Sequence, residues 1–267
     1  MRRRILATMT TRQMLNKVPE VTLFFWIIKI LCTTVGETAA DYLNVNLGFG
    51  LSNTTYVTGA LLAVLLLVQF RLRRYVPAVY WAVVVVISVF GTLITDNLTD
   101  RYNVPLTTST WAFSLILAAV FIVWFAVERT LSIHSIVTTR REAFYWLAIL
   151  ATFALGTAAG DLVGEKANLG YFVSILVFGG VIALIAVGHF VFGLNAVLTF
   201  WAAYIMTRPL GASVGDFLTQ SSHKFGGLGL GTTVVSYVFL ACILALVTYL
   251  SITKRDQTPP TLAARNA

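Results

Sequence analysis

One spacing of three residue types occurs four times along this chain. A tryptophan is followed ten residues later by a glycine and fifteen residues later by an aspartate. The four copies are Trp26–Gly36–Asp41, Trp81–Gly91–Asp96, Trp146–Gly156–Asp161 and Trp201–Gly211–Asp216. Successive tryptophans are 55, 65 and 55 residues apart, so the second half of the sequence repeats the first at an interval of 120 residues. A fixed period predicts four copies of one structural unit that pack against one another.

Apolar segments account for most of the chain. Hydrophobic residues make up 58% of the sequence and charged residues only 11%, less than half the charged fraction of a typical soluble domain. A membrane-spanning helix needs about 17–25 apolar residues. Eight such segments occur, at residues 21–39, 54–70, 77–95, 108–127, 143–160, 171–190, 194–212 and 231–251. We therefore expect an all-α polytopic membrane protein with eight transmembrane helices, which excludes a soluble enzyme, a disordered chain and a secreted disulfide scaffold.

The motif and the spans combine into hairpins. Each motif lies in an odd-numbered span and is followed by an even-numbered span that lacks it. Two spans return the chain to the same side of the membrane, so the sequence predicts four parallel helical-hairpin repeats in two pseudo-symmetric halves of four helices. The predicted divisions are a cytoplasmic tail (1–20), the first half (21–127), a cytoplasmic linker (128–142), the second half (143–251) and a second cytoplasmic tail (252–267).

Lysines and arginines predict the orientation in the membrane. Fourteen of them fall on one side of the predicted spans and three on the other. Because cytoplasmic loops are enriched in these residues, we expect both tails to be cytoplasmic. The net charge of +8 then reflects orientation and attraction to membrane lipid, and it does not predict nucleic-acid binding. The longest inner connection, residues 132–142, is interpreted as a solvated linker.

The four motif copies also carry a family resemblance. Their local sequences, GETAAD, GTLITD, GTAAGD and GASVGD, belong to units that resemble those of a bacterial membrane protein family with four tandem copies of a repeat of unknown function. In that family each copy has two transmembrane regions and a characteristic tryptophan. The resemblance covers roughly residues 18–251. It implies the eight-span architecture and a location in the bacterial inner (plasma) membrane, but it implies no chemistry.

Two cations lie inside the predicted spans, Lys29 in the first and Arg208 in the seventh. On an ideal helix the motif tryptophan and aspartate, Glu37 and both cations share one face about 120° wide. Charged groups in spans normally face the bundle interior, so this face should point inward. We expect each cation to pair with a motif carboxylate, with Glu37 as the partner of Lys29. Two alternatives are that the cations bind an anionic substrate or that they form fixed ion pairs that orient helices.

The oxygen-bearing residues of this inward face predict a site for a hard cation. Carboxylates and threonine hydroxyls suit Mg²⁺, Mn²⁺, Ca²⁺, alkali ions or protons, and they disfavour zinc and copper. An aspartate that follows a glycine at the end of a span could instead be a capping or loop residue. The candidate ion-binding residues are Asp41, Asp96, Asp161, Asp216, Glu37, Thr92 and Thr157.

The other two motif positions have structural interpretations. The glycines (Gly36, Gly91, Gly156 and Gly211) allow helix backbones to approach closely, or they allow a helix to unwind and offer carbonyl oxygens to an ion. The tryptophans (Trp26, Trp81, Trp146 and Trp201) are residues of repeat packing, anchors at the membrane interface, or walls of a cation–π cage for an organic cation.

Together these features favour a transporter or channel for a small hard cation, with membrane lipid as its other partner and no cofactor. An intramembrane enzyme is the first alternative, but the sequence contains no nucleophile–base pair, no HExxH and no phosphate-binding loop. A sensor or scaffold without transport is the second alternative, and it would use residues 132–142 or the tails to bind a partner.

Overall fold

A computed structural model describes residues 16–166, 169–221 and 226–257. Over these residues the chain is helical and contains no strand. Eight long helices follow one another in the order α1 (Leu23–Asp41), α2 (Gly50–Arg71), α3 (Pro77–Asp96), α4 (Leu106–Glu128), α5 (Thr139–Asp161), α6 (Tyr171–Phe190), α7 (Ala196–Thr219) and α8 (Thr232–Thr253). Three of them continue past the motif aspartate into five-residue π-helical turns, at Tyr42–Asn46, Asn97–Arg101 and Leu162–Lys166.

Seven of these helices are long and apolar enough to cross a membrane, namely α1 to α6 and α8. The prediction of a multi-pass helical membrane protein is therefore confirmed, and the predicted spans overlap all eight helices. Helix α7 is not among the seven apolar helices, because it contains the charged Arg208 and the helix-interior Pro209. It also continues to Thr219, seven residues beyond its predicted end, so Pro209 does not terminate it.

Local signals in the sequence start several of the helices. The hydroxyl of Thr22 accepts a hydrogen bond from the backbone N–H of Phe25 at the start of α1, and Thr138 does the same for Arg141 at the start of α5. The side chain of Asn195 caps the first turn of α7. Helix α3 begins at Pro77, where the missing N–H of proline costs no intrahelical hydrogen bond.

The odd-numbered helices form the centre of the bundle. Helix α1 packs on α3, α3 on α5, α5 on α7, and α7 returns to α1, so the four contacts close into a cycle. Each even-numbered helix packs against the odd helix of the following hairpin, with α8 against α1. Between 61% and 67% of the apolar windows of α1, α3 and α5 is buried, against 17–28% in α2, α4, α6 and α8. The even helices therefore present most of their apolar surface outward.

The motif glycines lie at the contacts between neighbouring odd helices. A Cβ atom on each glycine would overlap the residue that lies seven positions after the motif tryptophan in the next odd helix. The four pairs are Gly36 with Ser88, Gly91 with Phe153, Gly156 with Arg208 and Gly211 with Thr33. All four helices continue through their glycines, so the alternative that the helices unwind there is wrong and close packing is their role.

One end of the bundle exposes Arg71, Arg73, Arg74 and Lys254, and we call it the basic end. A buried ion pair lies at this end, in which Lys17 Nζ is 2.6 Å from Glu142 Oε2 and both side chains are at most 1% exposed. Gln69 Nε2 donates to the second carboxylate oxygen of Glu142 at 3.0 Å. The backbone N–H of Glu20 donates to the carbonyl of Asp256, which brings the first and last described segments together.

The linker between the two halves is only partly solvated. Ile133, Ile136 and Glu142 are buried, at 4%, 0% and 1% exposed. The backbone N–H of Lys17 also donates to the carbonyl of Ile136. The interpretation of residues 132–142 as a solvated linker is therefore wrong at these positions, because two isoleucines and an ion-paired carboxylate anchor the segment to the basic end.

Candidate functional site

Arg208 of α7 lies at the centre of the ring of odd helices. Its side chain is fully buried. Three oxygen atoms lie within hydrogen-bond distance of the Nη2 atom and share its two N–H groups, namely Glu37 Oε2 at 2.9 Å, Thr157 Oγ1 at 2.6 Å and Thr92 Oγ1. These three oxygen atoms come from α1, α5 and α3, so three helices hold one guanidinium nitrogen. We call Glu37, Thr92, Thr157 and the Nη2 atom of Arg208 the arginine cage.

The repeat explains why these residues meet. Glu37, Thr92 and Thr157 all lie eleven positions after a motif tryptophan, on the face that the helical period turns inward. The fourth residue at this position is Ala212, which is small and fully buried. Arg208 lies one turn, about 6 Å, nearer to the basic end on the same helix. Its long side chain therefore extends along the helix into the space between Glu37, Thr92 and Thr157 that the small side chain of Ala212 leaves unfilled.

Lys29 lies on the side of the cage that faces the basic end. Its side chain is 1% exposed, and its Nζ donates to Thr207 Oγ1 at 3.4 Å. The same nitrogen is 4.3 Å from the ring centre of Phe153 and 4.2 Å from that of Tyr204. These distances are within the range of cation–π interaction.

The expected pairing of Lys29 with Glu37 is wrong. In the described part of the chain Lys29 forms no ion pair, and Arg208 is the partner of Glu37. Glu37 lies eight residues, about 12 Å, further along α1, so Lys29 cannot reach it without leaving the helix surface. Lys29 instead experiences Arg208 as a neighbouring like charge.

The four motif aspartates lie at the other end of the odd helices, which we call the acidic end. Asp41, Asp96 and Asp161 are the last residues of their helices, and Asp216 lies three residues before the end of α7. All four side chains are half-buried. Asp96 interacts electrostatically with Asp41, Asp161 and Glu37, so these carboxylates share one region next to the arginine cage. Asp41 and Asp96 make no side-chain capping bond to the π-helical turns that follow them.

The motif tryptophans pack inside the bundle near the basic end. Trp81, Trp146 and Trp201 are at most 4% exposed, and Trp26 is half-buried. The indole N–H of Trp201 donates to the carbonyl of Leu131 at 2.9 Å. The alternative that the tryptophans are anchors at the membrane interface is therefore wrong for these three, since Trp81 and Trp146 pack against Tyr80 and Trp201 packs against Tyr145.

Several residues of the central region carry no signal in the tryptophan–glycine–aspartate motif. Phe153, Tyr204 and Thr207 surround Lys29, and Phe153 also lies 6.0 Å from the guanidinium carbon of Arg208. Their signal is positional. Phe153 and Arg208 occupy the same place in repeats three and four, seven residues after the tryptophan, where repeats one and two have Thr33 and Ser88.

The described residues contain no group of three or more His, Cys, Asp or Glu side chains arranged to hold a metal ion. A hard cation at the acidic end would therefore keep part of its water shell. The arginine cage is different, because its three oxygen atoms already surround a single point.

Comparison with protein families identifies a match to the family described as Repeat of Unknown Function (DUF347). The match occurs four times, at residues 24–75, 79–130, 144–193 and 199–256, once for each helical hairpin. No curated protein and no solved structure matches the chain.

Proposed function

The chain belongs to the DUF347 repeat family, and we propose that it is a transporter that carries a small hard cation along the axis of its four odd-numbered helices. The substrate would be a divalent ion such as Mn²⁺ or Mg²⁺, an alkali ion or a proton. The observation that carries this proposal is the arginine cage, in which three oxygen atoms from three repeats converge on one positively charged nitrogen.

A cage of this kind has the ligand chemistry of a hard-cation site. Hard cations take carboxylate, hydroxyl and water oxygens as ligands. Arg208 then acts as a tethered cation that occupies the site when no substrate is bound. A substrate ion and the guanidinium compete for Glu37, so binding of the ion releases Arg208 from the cage. The half-buried aspartates at the acidic end would concentrate cations next to it.

The fixed charges favour a carrier over an open channel. A positive side chain in a pore raises the barrier to cations. Arg208 and Lys29 are both within the ring of odd helices, and both are buried. A cation therefore crosses only when Arg208 changes its partner, which couples passage to a conformational change. Buried aromatic residues lie between Lys29 and the basic end, among them the hydrogen-bonded pair Tyr80 and Tyr145. They would block the path of an ion on that side.

We also propose that the four hairpins are parallel and related by a pseudo-fourfold axis along the membrane normal. The repeated glycine contact supports this arrangement. In every repeat the glycine ten positions after the motif tryptophan contacts the residue seven positions after the tryptophan of the next repeat, and the fourth repeat contacts the first in the same way. The packing of each even helix against the next odd helix follows the same cycle. The axis passes close to the arginine cage.

The basic end would face the cytoplasm of a bacterial inner membrane. Its exposed arginines and Lys254 support this orientation, since cytoplasmic segments are enriched in such residues. The first and last described segments meet there, so the polypeptide would enter and leave the bundle on the cytoplasmic side. The acidic end, with its four motif aspartates, would face the periplasm.

Flux through purified protein in liposomes tests the proposed function. We expect the full chain to take up at least one of Mn²⁺, Mg²⁺, Na⁺ or H⁺ and Glu37→Gln to abolish this uptake. Asp100→Asn is the matched control, because it removes one carboxylate at the same end from an exposed position outside the motif. It should retain uptake. Uptake that is undiminished in Glu37→Gln, or lost equally in Asp100→Asn, would contradict the cage as the transport site.

A further inference from the structure

Two basic residues and one acidic residue are buried at the centre of the bundle. Lys29, Arg208 and Glu37 are the charged side chains there, and each is at most 7% exposed. Glu37 balances only one of the two cations, through its 2.9 Å contact with Arg208. An isolated buried charge is strongly unfavourable unless an opposite charge accompanies it. Among the buried side chains of the centre one formal positive charge is therefore not matched by a buried carboxylate, and the motif aspartates are half-buried and lie nearer to the acidic end.

Unused hydrogen-bond donors accompany this excess charge. The Nε and Nη1 atoms of Arg208 have no hydrogen-bond partner in the described part of the chain, although both are buried. Among the described residues the hydroxyl of Tyr204 is also buried without a partner, and the Lys29 Nζ atom donates to one hydroxyl and lies over two aromatic rings. These groups therefore have N–H and O–H donors available for an anion.

We propose that Lys29 and Arg208 form a binding site for a small monovalent anion such as chloride. Such an anion would accept hydrogen bonds from the ammonium and the free guanidinium nitrogens, and it would supply the missing negative charge. The site is separate from the arginine cage, which uses the Nη2 atom, and it does not depend on cation transport.

The packing limits the size and charge of this ligand. Phe153 and Tyr204 are fully buried beside Lys29, so the anion must enter without a shell of water. A monovalent ion loses its hydration more readily than a divalent one, because the desolvation cost rises steeply with charge. A divalent anion would also replace an excess of one positive charge by an excess of one negative charge. Chloride or bromide therefore fits this site better than sulfate.

Thermal unfolding of the purified full chain in detergent measures this binding, because a ligand of the folded state raises the unfolding temperature in a saturable way. Sodium chloride is titrated against sodium gluconate at constant ionic strength. We expect chloride to raise the unfolding temperature of the wild type with a defined midpoint. Arg73→Gln, which removes an exposed arginine at the basic end, should give the same midpoint.

Two substitutions in the centre should have opposite effects on chloride binding. Lys29→Gln balances the buried charge and should abolish the chloride effect. Glu37→Gln increases the excess positive charge and should lower the midpoint by about tenfold or more. An increase in affinity cannot arise from misfolding, so Glu37→Gln keeps the test valid if Lys29→Gln is unstable.

Three results would overturn the anion site. They are a wild type that responds equally to chloride and gluconate, a Lys29→Gln variant with the wild-type midpoint, and a Glu37→Gln variant whose midpoint is unchanged or higher. Loss of cation flux would leave the anion site intact, since the unfolding measurement requires no transport.

Discussion

Arg208 and Glu37, which lie 171 residues apart in the sequence, form a buried hydrogen-bonded ion pair of 2.9 Å at the centre of the bundle. The pair joins the last repeat to the first and so closes the ring of odd helices. Thr92 and Thr157 supply the second and third repeats at the same guanidinium nitrogen. One atom of one side chain therefore contacts residues of all three other repeats.

Removing one partner of this ion pair should destabilise the protein more than removing both. Glu37→Ala leaves Arg208 as a buried charge without its carboxylate, and we expect a loss of about 3–5 kcal/mol in the free energy of unfolding. The double variant Glu37→Ala with Arg208→Met removes both charges and should recover most of that loss. Denaturant unfolding of the purified variants measures both values. A double variant as unstable as Glu37→Ala would contradict the pairing.

The glycine contacts should be sensitive to a single methyl group. Gly36→Ala places a Cβ atom on the Ser88 side chain, and we expect it to cost about 1–3 kcal/mol of unfolding free energy. Adding Ser88→Gly should restore part of this stability. Gly179→Ala is the matched control, since no atom lies within 4 Å of its added Cβ and alanine favours the helix. Equal losses at Gly36 and Gly179 would show that packing between odd helices is not responsible.

Asp256 should make stability depend on pH. Burial raises the pKa of this carboxyl above its ordinary value, and the hydrogen bond from Tyr75 opposes the shift only in part. Because the pKa is higher in the folded state than in the unfolded state, the stability linked to protonation is present at low pH and is lost as the pH rises through the folded-state pKa.

Asp256→Asn, which can still accept the hydrogen bond from Tyr75, removes this dependence. The variant should unfold at a higher temperature than the wild type at about pH 7, and the difference should shrink towards about pH 4, near the ordinary pKa of an aspartate. Unfolding temperatures across this range measure the effect. A difference that stays constant with pH would exclude titration of Asp256 as its cause.

The ion pair at the basic end should protect the chain from protease. Lys17 is fully buried by Glu142 and the carbonyl of Phe70, so trypsin has little access to the bond after it. Glu142→Ala leaves Lys17 as an unpaired buried charge, and local opening should become about tenfold or more frequent. The rate of cleavage after Lys17 measures this opening. Glu128→Ala, which breaks the ion pairs with Arg140 and Arg141, is the control and should leave that rate unchanged.

The sequence predicted the helices well, because membrane spans depend on local apolar length. The predicted spans overlap all eight helices, and the motif identified the odd ones. The helical period also indicated that Glu37, Lys29 and Arg208 share inward faces, and the structure buries all three. These features follow from residues that are close together in one helix.

Contacts between side chains of different helices could not be predicted from the sequence in the same way. Lys29 and Glu37 are close in sequence, yet the residue that reaches Glu37 is Arg208 of α7, which becomes its neighbour only when the ring closes. The burial of Ile136 likewise depends on the segment around Lys17, which lies far away in the sequence. A comparison of the residue seven positions after each motif tryptophan would have shown where the fourth repeat supplies its arginine.

Titration calorimetry with Mg²⁺, Mn²⁺, Ca²⁺ and Na⁺ tests most directly whether a substrate cation takes the place of Arg208 in the arginine cage. Arg208→Gln vacates the cage, so it should bind at least one of these ions about tenfold more tightly than the wild type. Adding Thr157→Val, which removes one cage oxygen, should reverse the gain. If Arg208→Gln binds none of the four ions more tightly than the wild type, or if Thr157→Val leaves the gain intact, the cage is not the cation site.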